Sequence, residues 1–162
     1  MRSRYPLLML VLLVACTDEA TEPEPLEFGP LPEHSVRVNI VAAPQVRGIT
    51  VTRLLIDSRS LELGAYQGRF RFDPETLELI DVKMPDDNYR IVNVSGAPRG
   101  EIRFAGFTVT AFESPLALEM RFLSKSEWKL DDMKVELEVV GDIEGNKVAR
   151  RRILEPTRTI VR

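Results

Sequence analysis

One cysteine, one histidine and 25 acidic side chains are the reactive inventory of this 162-residue sequence. Cys16 has no second thiol with which to form an intramolecular disulfide, and without paired histidines a zinc site is not expected. His34 lies in a proline-rich stretch, and no serine stands in a nucleophile elbow that could use it as a base. Carboxylate pairs could in principle cleave glycosides, but acids are so numerous that no pair stands out. Asp142, Glu144 and Asn146 alternate like the start of a calcium loop, yet Gly145 falls too early and no glutamate closes the loop at the twelfth position. A hairpin turn is the better account there, and loops rather than ligand sets account for Asp86-Asp87-Asn88 and Asp131-Asp132. The sequence therefore predicts no enzyme, no metal and no cofactor, and leaves recognition as the chemistry to be explained.

The cysteine has a context of its own. Arg2 and Arg4 precede an apolar run from Leu7 to Val14, and Ala15 then stands before Cys16, which reads as a signal peptide over residues 1–15. The run is far short of the ~20 residues a membrane-spanning helix needs. Leu13-Val14-Ala15-Cys16 resembles the lipobox of bacterial lipoproteins, in which cleavage falls before the cysteine and its sulfur receives a diacylglycerol. That resemblance implies lipidation at Cys16 and stable anchoring, because two or three acyl chains exceed what firm membrane binding requires. Thr17, rather than aspartate, after the cysteine implies the outer membrane of a bacterial envelope. The alternative is an ordinary secreted protein whose apolar run happens to end in cysteine.

Residues 16–34 carry the lipidated cysteine and a tether, since Thr17 to His34 holds four prolines and six acids and can bury little apolar surface. At ~3.1 Å per residue such a segment could hold a domain on the order of 50 Å from a bilayer. Without residues 1–15 the chain has 20 basic and 25 acidic residues, a balance of −5. A nucleic-acid partner is not suggested.

Beyond the tether, short alternating runs bounded by Gly, Pro, Asp and Asn predict an all-β domain over residues 35–155, with a C-terminal tail at 156–162. The clearest stretch is Gly64 to Val82. Tyr66, Gly68, Phe70 and Phe72 alternate there with Gln67, Arg69 and Arg71; Asp73-Pro74 makes a capped turn, and Leu77 to Val82 returns. Further strands are expected near Val36–Ala42, Thr50–Asp57, Tyr89–Val94, Glu101–Phe107, Leu116–Leu123, Lys134–Val140 and Lys147–Ile153. Nine strands suit a two-sheet sandwich. Parity assigns to the core Val36, Val38 and Ile40; Ile102 and Phe104; Leu116, Leu118, Met120 and Phe122; and Val135, Leu137 and Val139. Phe107, Phe112 and Trp128 are expected to plug the open ends.

On three segments the domain resembles a cohesin, a β-sandwich module with relatives among carbohydrate-binding modules. They are Gly64-Ala65-Tyr66 through Phe70-Arg71-Phe72-Asp73-Pro74 to Leu79; Gly100-Glu101-Ile102-Arg103-Phe104-Ala105-Gly106; and Leu116 to Phe122 with the Asp142-to-Asn146 turn. The resemblance implies a nine-stranded jelly-roll sandwich. It also implies a flat docking face on the sheet of the third, fifth, sixth and eighth strands, which in scaffold-borne cohesins holds a calcium-loaded dockerin.

Outward positions expected on that face are Arg69, Arg71, Arg103, Glu136 and Glu138. They could form a charged docking surface or simply make cross-strand ion pairs. The functional expectation is a lipid-anchored envelope protein that binds a protein partner, either dockerin-like or an envelope component. One alternative is a polysaccharide-binding module using Tyr89 or Trp128; another is an architectural subunit of an envelope assembly. The run Arg150-Arg151-Arg152, with Arg158 and Arg162, could touch anionic lipid or lipopolysaccharide, or could be a solvated strand end.

Overall fold

The computed structural model describes residues 29–84, 89–112 and 114–160. The signal peptide, Cys16, most of the tether, Asp86-Asp87-Asn88, Arg162 and the side chain of Leu116 lie outside what is described. The nine strands are β1 (Val36–Ala42), β2 (Ile49–Asp57), β3 (Leu63–Arg71), β4 (Leu77–Lys83), β5 (Arg90–Asn93), β6 (Glu101–Phe107), β7 (Leu116–Ser124), β8 (Lys134–Asp142) and β9 (Ile153–Ile160). They form two sheets, ordered β4-β7-β2-β1-β9 and β5-β6-β3-β8. All pairings are antiparallel except β1 with β9.

Alternation explains why these segments pair face to face. Every second residue of β3 and β6 is buried, and Tyr66, Phe70, Ile102 and Phe104 meet Val36, Ile40, Leu54, Met120 and Phe122 from the opposite sheet in one apolar cluster. Phe72 and Phe122 pack edge to face with centroids 4.9 Å apart, and Tyr66 meets Phe112 in the same way at 5.3 Å. The turn between β3 and β4 is capped by Asp73, whose Oδ1 accepts the Glu75 N–H at 2.9 Å.

Four expectations need correction. Val139 is not a core residue. A β-bulge shifts the β3–β8 register between Gln67 and Gly68, so Gln67 faces Val139 while Gly68 faces Leu137. Parity flips at the bulge, turning Val139 outward and burying Val140 completely. Phe107 is 58% exposed and plugs nothing, whereas Phe112 is buried and Trp128 packs partly against the core.

The last strand is also not at Lys147–Ile153, and residues 156–160 are not a tail. After β8 the hairpin returns only as far as Val148, whose N–H donates to the Val140 carbonyl at 2.8 Å. A 3-10 turn at Arg150–Arg152 then carries the chain across to the other sheet, where β9 runs parallel to β1. Pro156 sits in this edge strand where the register with β1 is bulged, a place where a missing N–H costs little.

Candidate recognition face

The inner face of the four-stranded sheet is core, so its outer face is where function can reside. Register lays the outward residues in rows across β5, β6, β3 and β8. One row is Asn93, Arg103, Arg69 and Glu136; beside it lie Glu101, Arg71 and Lys134. On the other side come Ile91, Ala105, Gln67 and Val139, and then Phe107, Ala65 and Gly141. Tyr89 flanks this last row, its carbonyl accepting the Phe107 N–H at 3.0 Å. The face is therefore charged in one half and largely apolar in the other.

All five charged residues predicted from sequence lie in the charged half, and each is in an ion pair. Arg69 meets Glu136 at 3.0 Å and Glu138 at 3.3 Å, while Gln67 donates to Glu138 at 3.2 Å. Arg103 and Arg71 converge on Glu101 at 2.9 and 3.3 Å. Glu101 was not anticipated, although it is the hub of this cluster. The hydrogen bond from Arg103 holds its carboxyl below the usual range, with Arg71 adding to the effect and burial opposing it. The same contact raises Arg103. Pairs as exposed as these are screened by solvent, so they set orientation more than stability.

The apolar half was missed from sequence. Ile91 is 68% exposed and Phe107 58%; the Phe107 ring sits 5.1 Å from that of Tyr89, and Val109 is exposed just beyond β6. A signal did exist, because Phe107 and Ala105 share strand parity with Arg103. Tyr89 and Trp128, grouped as sugar-stacking candidates, are not brought together: no ring contact joins them among the described residues, and Trp128 is partly buried. The Tyr89 and Phe107 rings are inclined by 54°, unlike a flat stacking platform.

Elsewhere, Asp142 caps its hairpin. Its carboxylate accepts N–H groups from Glu144 at 3.0 Å and Asn146 at 2.8 Å, and the Asn146 amide at 3.0 Å. Among the described residues no group of three His, Cys, Asp or Glu side chains could hold a metal. A hollow of about 560 Å³ opens at one end of the sandwich beside His34, Ser60 and Ser114. Ser60 Oγ there holds the incoming chain, donating to the Pro32 carbonyl at 2.9 Å, and Ser114 Oγ accepts the Ser58 N–H at 3.0 Å.

This arrangement of two sheets, five strands against four, superposes on solved structures. The fold is that of a cohesin. A cohesin from scaffoldin B of Acetivibrio cellulolyticus, solved in complex with a dockerin, aligns with TM-score 0.57 and 12% identity over 78% of this chain and 99% of its own. A cohesin–dockerin complex from Clostridium thermocellum gives 0.56 and 10% over 84% and 94%. The non-cellulosomal cohesin of the archaeon Archaeoglobus fulgidus gives 0.53 and 15% over 78% and 92%. No family model matches the sequence, and no curated protein matches it. At such identities the cohesin likeness is one of fold, and the rows of side chains described above are this chain's own.

Proposed function

We propose that this chain is a non-catalytic recognition module that binds a protein partner of dockerin type through the outer face of β5-β6-β3-β8, and that lipidated Cys16 holds it at the bacterial outer membrane. The observation that carries the reading is the division of that face into an apolar half around Ile91, Phe107 and Tyr89 and an ion-paired half around Arg69, Arg103 and Glu101. An apolar patch rimmed by polar groups is the anatomy of an interface, the first part supplying burial and the second orientation. The dockerins bound to two of the cohesins of like fold give the partner class.

Calorimetric titration with a panel of calcium-loaded dockerins tests this. Binding should weaken by about tenfold or more in an Ile91→Asp, Phe107→Ala double variant that melts like the parent, since each anchor residue of an interface is worth ~1–2 kcal/mol or more. Charge reversal at Arg69 and Arg103 should weaken it further and make it less specific. Affinity unchanged in both variants would remove this face from the reading. Glycan-array binding that depends on Tyr89 would favour the polysaccharide module instead, and constitutive co-purification with a membrane complex would favour an architectural subunit.

A further inference from the structure

A second site lies away from the apolar half of the face, where the two sheets part on the side of β8 and β9. Strand β8 pairs with β3 along one edge only. The far half of its open edge is closed by the returning hairpin, through the Val148-to-Val140 hydrogen bond at 2.8 Å and the Gly141–Lys147 bridge. From Lys134 to Glu138 no strand covers that edge among the described residues. Instead there is a cleft of about 390 Å³ between β8 and β9.

Two properties of the cleft restrict what can fill it. Its floor is Val135, and an adjoining smaller hollow of about 110 Å³, which also touches Val135 and Pro156, continues the apolar surface through Val38, Leu137 and Ile153. Its rim carries Arg69, Arg71, Lys134, Arg150 and Arg158 with Glu136 and Glu155, in a chain whose net charge is −3; Arg69 and Arg150 are paired with Glu136 and Arg71 with Glu101, which leaves Lys134 and Arg158 as its available cations. Arg158 is oriented by one N–H, its Nε donating to the Met133 carbonyl at 3.2 Å. Among the described residues, no carboxylate lies within ion-pair distance of Lys134 or Arg158. Pro156 and the β9 bulge interrupt the opposite wall as a pairing surface, leaving β8 as the strand able to accept another.

We propose that an extended acidic polypeptide segment adds to the Lys134–Glu138 edge of β8, its alternate apolar side chains on the floor and its carboxylates against Lys134, Arg150 and Arg158. Uncovered backbone donors and acceptors at strand spacing favour a polypeptide over a lipid or a glycan, because only a peptide main chain matches that repeat. The period-two split between floor and rim requires alternation in the ligand. This site shares Arg69 and Arg71 with the sheet face but none of its apolar half, and it gives a role to Arg150 and Arg158, which the sequence left open between anionic lipid and solvent.

The test is fluorescence anisotropy of the full-length protein with a labelled octapeptide of alternating Glu and Val. Expected are saturable binding that falls as salt rises from 50 to 300 mM, a loss of about tenfold or more in a Lys134→Glu, Arg158→Glu variant of unchanged melting behaviour, and slowed amide exchange at residues 134–138. The Ile91→Asp, Phe107→Ala variant should bind the peptide as the parent does, which separates this site from the sheet face. No saturable binding, equal binding of a Glu-Glu-Val-Val repeat, or indifference to the double reversal would each overturn the proposal. Binding of phosphatidylglycerol vesicles in place of the peptide, with the same charge dependence, would overturn it in favour of a membrane surface.

Discussion

Asp142 shows how much of the local order here comes from one side chain satisfying neighbouring donors. Its carboxylate is held below the ordinary range first by the Asn146 side-chain amide and then by the Asn146 N–H, with burial opposing. A lowered native pKa means that these bonds stabilise the fold fully above the unfolded value near pH ~4 and are lost as pH falls through the lower native value. Asp142→Asn should therefore lower the melting temperature at pH 7, and the gap from the parent should close below about pH 4. A gap of constant size across a series of melting curves would contradict this. Gly100 is a different case, fixed by shape. Its φ of +76° is left-handed, and an added Cβ would lie 2.1 Å from the Phe72 carbonyl oxygen, on the segment whose N–H the Gly100 carbonyl accepts. Gly100→Ala should cost about 2 kcal/mol or more in urea unfolding.

Among the elements, the bulge in β8 decides which of two neighbouring valines supports the core. Val140→Ala should destabilise by about 2 kcal/mol, while Val139→Ala should stay within about 0.5 kcal/mol, as read from chemical denaturation. Equal effects would mean that the strand runs in unbroken register. This is also where the sequence stops being legible. Strands β1 and β6 follow directly from period-two patterns, as does the outward placement of Arg69, Arg71 and Arg103. An extra residue within Glu136-Leu137-Glu138-Val139-Val140 leaves no such trace, because either valine satisfies an apolar position. Strand β9 was hidden for another reason: Pro156 and its polar neighbours look like a tail until the free edge of β1, far away in sequence, supplies a partner. The apolar half of the sheet face was readable in part from the parity of Ala105 and Phe107. What parity could not provide was the adjacency of Ile91 and Tyr89, which depends on β5 pairing with β6.

For the molecule as a whole, the proposed anchor and the proposed recognition face predict separable behaviour. If Cys16 carries the lipid, Cys16→Ser should move the protein from the membrane pellet to the soluble fraction on cell fractionation, with dockerin titrations of the purified domain unchanged. Retention in the pellet would refute the anchor. The parallel pairing of β1 with β9 has a mechanical consequence. Val36 faces Ile153 and Ala42 faces Ile160, so the chain enters one end of this strand pair and leaves β9 at the other. A force drawn between the N-terminal side and the end of β9 acts along the two strands in opposite directions and shears them. Under shear the hydrogen bonds of the pair share the load together, whereas a pull applied from one end would open them one after another. First and last strands thus form a clasp oriented to resist tension along the chain.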